Sequence, residues 1–490
     1  LFIRKRHLRA NSGRAFHLFL TAVFAPVPAD RRYADDRLRL TTRQAFQLHG
    51  VIKEELKPTI QAINDNLMDT IAACGDVNRN VMCTPVYERS AVHADALVWA
   101  QRISDLLTPR TRAYHEIWLD GKKLETGDEE PIYGPTYLPR KFKIAVAIGA
   151  INDVDVLAQD LGFTAIEEDG RLAGFNVSVG GGMGATHGDD ATYPRLADVI
   201  GFCTPEQVLS VAEHVVGLQR DFGDRTNRKH ARLKYTIADR GVDWFVEALA
   251  ERMGEALAPA RALAFETRGD PLGWFTDPTG AHHLTLFIPS GRIEDRGDQR
   301  FLAGLAEIAR LDVGEFRITP NQNLVIAGLN NEQKDAVNAL TQEFGIDLWR
   351  RLPPIEQTAL ACVALPTCSL AMAEAERGLP EIVSRVHVLM QKHGLGDEDL
   401  SLRVTGCPNG CARPYVAEVG LVGKAPGRYN LHLAGDGLGT RLNQRVAENL
   451  SLEAIEETLD LWLGRFSAER TAGEAFGDFV NRIGIDRAVA

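Results

Sequence analysis

Four cysteines stand close together in the last third of the sequence, in two pairs. Cys362 and Cys368 are separated by five residues, Ala361-Cys362-Val363-Ala364-Leu365-Pro366-Thr367-Cys368. Cys407 and Cys411 are separated by three, Thr405-Gly406-Cys407-Pro408-Asn409-Gly410-Cys411. Four thiolates so arranged can bind zinc, bind an iron–sulfur cluster, pair as disulfides, or sit as structural thiols. Zinc knuckles use two to four residues within each pair, so the first pair is wide for zinc. A cubane cluster is larger and accepts longer ligand loops, and amides of the glycine-bearing turn can bond its sulfurs. We therefore expect a [4Fe–4S] cluster, with zinc and structural thiols as the competing readings.

A second group of residues suits a small anion. Lys141-Phe142-Lys143 opens the apolar run KFKIAVAI, and alternation on a strand puts both ammonium groups on one face. For an anonymous strand that pattern is usually a solvated face. Arginine offers a permanent fork of donors, and lysine offers a charge that can also release a proton.

The elements that must position these groups are mixed. Arg37 to Gly50 reads as a strand leading to a turn, Val51 to Ala73 as helix, and Ala91 to Leu107 as helix. Lys141 to Ile148 and Phe175 to Gly182 read as strands, and Leu209 to Arg220 and Val242 to Met253 as helices, with a basic stretch from Asp224 to Arg240. The segment Leu38–Gly50 (LRLTTRQAFQLHG) is echoed by Phe316–Gly328 (FRITPNQNLVIAG), pairing Arg39 with Arg317, Thr41 with Thr319, Gln44 with Gln322 and Gly50 with Gly328. At that separation an echo means two copies of one α/β unit related by a pseudo-twofold axis, not a solenoid. The expected class is α+β, with a first repeat over 1–90, an α/β domain over 91–255, a second repeat over 256–348 and a cysteine-bearing α/β domain over 349–490.

The whole chain has 490 residues, 45% hydrophobic and 25% charged, with net charge −11. That supports a sizeable core and argues against a nucleic-acid or membrane-surface role for the body of the protein. Seven cysteines, four of them clustered, do not form a secreted disulfide framework, and a reducing cytoplasm is expected. Residues 1–29 carry Arg4, Lys5, Arg6, Arg9 and Arg14 without an acid, followed by an apolar stretch. This resembles a signal or transit peptide, although, with Leu1 at the first position, a fragment or an altered start is the preferred reading.

The cysteine spacing followed by TGCPNGC and by GLVGKAPGRYNLHLAG (Gly420–Gly435) resembles the sulfite and nitrite reductase family. VNRNVMC (Val77–Cys83), LTPRTRAYHEIWLD (Leu107–Asp120), TYLPRKFK (Thr136–Lys143), RITPNQN (Arg317–Asn323) and GEAFGDF (Gly473–Phe479) extend the likeness over most of the chain. TYLPRKFK with GLVGKAPGRYNLHL is similar to the assimilatory sulfite branch.

The resemblance implies ferredoxin-like repeats around sirohaem and a [4Fe–4S] cluster. By position, Cys362, Cys368, Cys407 and Cys411 are the cluster ligands, and Cys411 carries the sulfur shared with the haem iron. Arg79, Lys141 and Lys143 are the substrate cations. Arg39, Thr41, Arg43, Gln47, Arg140 and Asn409 are expected to hold the polycarboxylate macrocycle, with Arg317, Asn321 and Asn323 offering a symmetric second arm. The implied reaction is six-electron reduction of sulfite to sulfide in cysteine biosynthesis. Without a convincing flavin or nicotinamide signature, electrons are expected from a flavoprotein subunit using NADPH or from a ferredoxin. Nitrite as substrate, or a non-catalytic zinc protein, are the alternatives. The family has a front strand with an anion-site arginine that residues 1–34 do not match, and Arg9 is the candidate there.

Three further features carry less. Gly180-Gly181-Gly182-Met183-Gly184-Ala185 mimics a dinucleotide loop, but Asp198 precedes the next apolar run instead of ending it. His282 and His283 point to opposite faces of a strand. Cys74, Cys83 and Cys203 are expected to be buried thiols.

Overall fold

The computed structural model describes residues 2–5, 37–66, 68–110, 117–119, 122–124 and 130–485. Four larger sheets and their helices are grouped around three apolar cores.

The first core surrounds a mixed sheet in the order Asp198–Cys203, Arg171–Val179, Leu161–Glu168, Phe142–Ile148, Asn78–Cys83. The lysine strand, Phe142–Ile148, lies parallel to both of its neighbours. Its apolar run is buried along its length, as expected of a strand covered on both faces. Helices Ala91–Leu106 and Val208–Phe222 cover one face, burying Val92, Ala96, Ala100 and Ile103 from the first and Val208, Val211, Ala212 and Val215 from the second, while Val154 and Val156 pack on Ala145 and Ala147 from the other.

The second core belongs to both echo segments. Leu38, Leu40, Phe46 and Leu48 pack in one cluster with Phe316, Leu324, Ile326 and Leu329. In each copy the hairpin is antiparallel, Leu38–Leu40 with Phe46–Leu48 and Glu315–Ile318 with Leu324–Leu329. The turns match bond for bond. Thr41 N donates to Ala45 O at 3.0 Å and Thr319 N to Asn323 O at 2.9 Å, while Gln44 and Gln322 take φ of 49° and 68°. Gly50 and Gly328 share a left-handed φ of 75° and 79°, which explains the glycine at both places. The sheets interlock as well, because Arg292–Ile293, which lies between the two echo segments in the chain, pairs with Leu38–Leu40. Two half-cores are thereby merged into one.

Two details depart from the sequence reading. The first helix is Leu56–Asp65, shorter than the expected 51–73. Pro58 lacks an N–H and fits only the first helical turn, so the helix cannot begin much earlier. The front strand is present despite its unmatched sequence: Phe2–Lys5 pairs with Phe46–Leu48 on one side and Met68–Asp69 on the other. Arg9 lies outside the described residues.

The third core holds a sheet in the order Leu360–Ala361, Leu402–Thr405, Val419–Ala425, Arg428–Leu433, Gln444–Leu450. Its first three strands are parallel neighbours. Helix Leu379–Lys392 lies in the connection between the first and second strands, as a parallel crossover requires.

Candidate functional site

The long gap between the cysteine pairs is closed by that parallel register. Leu360 and Ala361 pair with Arg403 and Val404, so Cys362 and Cys407 emerge from the same end of adjacent strands. Ligands in such sheets gather at the carboxyl ends of the strands. Cys362 N donates to Val404 O at 3.2 Å, and Gly406 N donates to Cys362 Sγ at 3.3 Å. A side chain on Gly406 would come within 2.6 Å of both Ala364 Cβ and Ala373 O. Only glycine allows this approach.

Cys411 and Cys407 lie within electrostatic reach of Cys362, and Cys411 and Cys368 within reach of Cys407. Burial pushes the Cys362 thiol up, and Cys411 and Cys407 push it further. Cys407 is raised by burial, then by Cys411 and Cys368. Among the described residues no three His, Cys, Asp or Glu side chains close on a point where one metal ion could sit.

Next to the second pair opens a cleft of about 310 Å³ lined, among the described residues, by eight cationic side chains and no carboxylate. Arg43, Arg140, Lys141 and Lys143 are among them, together with Asn409 and Cys411. The alternation on the lysine strand works as expected: Phe142 is fully buried in the core and both lysines line the cleft. The side chains of Arg140, Lys141 and Lys143 make no hydrogen bond or ion pair among the described residues. Arg43 is anchored by Gln159 Oε1 at 2.8 Å and Asn80 O at 2.6 Å, yet its buried Nε has no partner there. Burial, then Arg413, pulls the Arg43 guanidinium down to about 9. Lys143 is held well below the usual lysine range by burial, then by Lys141, Arg43 and Arg232. Lys141 is lowered by burial and then by Arg232. Such crowding of like charges favours an anionic occupant, and a polycarboxylate macrocycle with a small oxyanion matches this donor set.

Other sequence candidates are placed outside the lining. Arg39 is buried against Glu376, with Nε at 2.7 Å, and its Nη2 donates to Ala361 O at 3.0 Å. That guanidinium is within electrostatic reach of Cys362 and is not among the cleft's lining. The Thr41 hydroxyl is spent on its own turn, donating to Ala45 O at 2.9 Å. Gln47 lies opposite Arg39 on the paired strand. Arg79 is tied to the 73–75 loop, donating to Ala73 O at 2.6 Å and Gly75 O at 3.0 Å, within electrostatic reach of Lys141 and Arg140.

The second arm turns elsewhere. Arg317 is ringed by Glu88, Glu315 and Tyr87 at 2.7–2.9 Å, and Asn321 and Asn323 donate to Asp270 at 3.0 and 2.8 Å. His282 is hydrogen-bonded to Thr276 and Asn331 and His283 to Asp277, so both are engaged in the fold. Cys83 and Cys203 are buried, whereas Cys74 is exposed, contrary to expectation, because its loop carries it to the surface.

Several lining residues escaped the sequence reading. Arg228, Lys229, Arg232 and Tyr235 come from the stretch read only as basic, and Thr42, Gln159 and Arg413 also contribute. Asp160 fixes Arg232 with two bonds at 2.9 and 2.7 Å and accepts Lys143 N at 2.9 Å, setting both cations from one buried carboxylate. The glycine run found its use here. Lys234 Nζ donates to Gly182 O at 3.1 Å and Gly184 O at 2.7 Å, and Ala185 N donates to Pro408 O at 2.9 Å. The loop thus joins the basic segment to the cysteine turn.

Comparison with known proteins follows the same lines. A model described as "Nitrite and sulphite reductase 4Fe-4S domain" matches residues 98–257, and one described as "Nitrite/Sulfite reductase ferredoxin-like half domain" matches twice, over 29–66 and 276–344. The sulfite reductase [NADPH] hemoprotein beta-component of Myxococcus xanthus is 60% identical over 454 residues, covering 93% of this chain and 81% of that protein. The protein of the same name from Geobacillus kaustophilus is 54% identical over 464 residues, covering 94% and 81%. The solved structure of Mycobacterium tuberculosis NirA shares the fold, with a TM-score of 0.79 at 23% identity over 100% of this chain and 84% of that one.

Proposed function

This chain belongs to the nitrite and sulfite reductase family, and on that premise we propose that it reduces sulfite to sulfide by six electrons, as an assimilatory sulfite reductase does. The observation that carries the reading is that Cys411, alone of the four clustered thiols, lines the cationic cleft. The cysteine cradle and the anion site meet at one sulfur.

Sirohaem and a [4Fe–4S] cluster, when bound, would supply one-electron transfer to the substrate anion. In our reading Cys362, Cys368, Cys407 and Cys411 hold the cluster, and Arg43, Arg140 and Asn409 take the macrocycle's carboxylates. The substrate oxygens then fall to Lys141 and Lys143, with Arg79 at the edge. Reduction of an oxyanion to sulfide consumes protons as oxygen leaves as water. A lysine depressed by burial and like charges gives up its Nζ proton more readily than an ordinary one, whereas arginine keeps its charge throughout. Lys143 is accordingly the proton donor and Arg43 the fixed charge. The relatives are named for NADPH, and the electron donor is read as a flavoprotein subunit. Among the described residues no helix is long and apolar enough to cross a membrane.

The test is an anaerobic assay with a chemical electron donor, comparing kcat/KM for sulfite and nitrite on protein whose absorption shows haem. Preference for sulfite is expected. A clear preference for nitrite would replace the substrate, and colourless protein containing zinc and no iron would remove the enzyme reading.

A further inference from the structure

Two residues after Cys411 the chain makes an unusual turn. Arg413 takes φ 54° and ψ 51°, a left-handed conformation seldom adopted by a non-glycine residue, closed by Arg413 N donating to Gly410 O at 2.9 Å. Its side chain is buried. Nε is paired with Asp155, which also accepts from Arg403 Nη1 at 2.7 Å. Nη1 donates to Thr42 O at 3.2 Å and Nη2 donates to Pro320 O at 3.3 Å.

Thr42 and Pro320 are equivalent positions in the two echo hairpins, each one residue past the matched threonine. One guanidinium therefore touches both copies of the repeat at the same place, which locates it on their local pseudo-twofold axis. The first copy returns the contact, because Thr42 Oγ1 donates to Cys411 O at 3.0 Å. Asp155, in turn, belongs to the body that carries the lysine strand, where Val156 and Leu157 pack against Ala145 and Ala147. Arg413 is thus tied to the cysteine turn by its backbone, to both repeats by its Nη atoms, and to the lysine domain through Asp155.

We infer that Arg413 is a positioning residue: clamped by Asp155, it sets where the Cys411 sulfur stands relative to the cationic cleft, and so the contact between the two redox groups. This rests on Cys411 carrying the shared sulfur. Groups that orient a ligand without touching the reacting atoms typically change affinity or activity by roughly ten- to a hundred-fold when lost.

The experiment uses the full-length loaded protein, with Arg413→Lys and Asp155→Asn. Haem and iron content, melting temperature and the magnetic coupling between haem and cluster are measured together. Lysine keeps the charge but cannot reach Asp155, Thr42 O and Pro320 O at once. The coupled fraction is expected to fall at least two-fold in both variants at retained iron content. A lower melting temperature with unaltered coupling would mean a structural role only and overturn the inference. If neither variant accumulates, Thr42→Val, which removes the Thr42 Oγ1 donor to Cys411 O, decides: weakened coupling supports the clamp and unaltered coupling rejects it. Unaltered protein with independent haem and cluster signals would instead defeat the shared-sulfur reading itself, an outcome distinct from failure of the clamp.

Discussion

Gln44 and Gln322 each reach across the pseudo-twofold axis to the other's strand. Gln44 Nε2 donates to Ile318 O at 3.0 Å, and Gln322 Nε2 donates to Leu40 O at 3.4 Å. Leu40 and Ile318 are themselves equivalent in the echo, so the exchange is reciprocal. A repeated glutamine in a repeated turn is therefore a fastening between the copies.

The two fastenings are unequal, which gives a stability prediction. Gln44 also donates to Cys83 O at 2.8 Å and accepts from Cys83 N at 3.1 Å, whereas the buried Gln322 Oε1 has no partner among the described residues. Gln44→Ala should cost about 2–3 kcal/mol and Gln322→Ala about 1 kcal/mol, since orphaned buried groups dominate such losses. Denaturant unfolding of the two variants measures this. Equal costs, or the reverse order, would contradict the asymmetry.

Cys411 should differ from its companions on substitution. Because it alone of the four borders the cleft, Cys411→Ser is expected to disturb haem and cluster signals together. Cys368→Ser, at the far pair, should reduce iron content without first altering how the haem is held. Paired optical and magnetic spectra check this, and an unchanged coupled signal in Cys411→Ser would refute it.

The two lysines should separate charge from proton transfer. Lys141→Met and Lys143→Met should each lower kcat/KM for sulfite by about a hundred-fold or more. Lys143→Arg keeps the charge but not a releasable proton, so KM should stay near its original value while kcat falls. A loss confined to KM would leave Lys143 as a binding group only.

A pH effect is expected at His432, whose ring packs against Tyr415. Burial and then Arg445 pull its ring from 6.5 to about 4. Between those values the folded ring stays neutral while the unfolded chain takes up a proton, so stability present above pH 6.5 is lost as pH falls towards 4 and levels off below. The full effect is about 3 kcal/mol. His432→Phe should flatten that part of the stability–pH curve. A slope unchanged by the substitution would show that other groups produce it.

Local rules made much of this protein legible. The alternation at Lys141 and Lys143 is a period-two fact, and any strand that buries Phe142 must send both lysines the other way. The echo revealed the repeat because Gln44, Gln322, Gly50 and Gly328 occupy turns that demand particular backbone conformations. The 38 residues between Cys368 and Cys407 said less, since only the pairing of Leu360–Ala361 with Leu402–Thr405 brings the thiols together.

The sequence by itself determined which residues are cations, which are thiols and which strand faces two ways. The tertiary structure decided which cations are free to act. Arg39 and Arg317 look like Arg43 and Arg140 in a sequence, but Glu376 claims the first and Glu88 the second. Those acids lie 337 and 229 residues away along the chain. No local pattern encodes such partners. A buried guanidinium takes whichever carboxylate the fold brings to it, and the cleft keeps its charge because, among the described residues, no carboxylate pairs with the side chains of Arg140, Lys141 or Lys143.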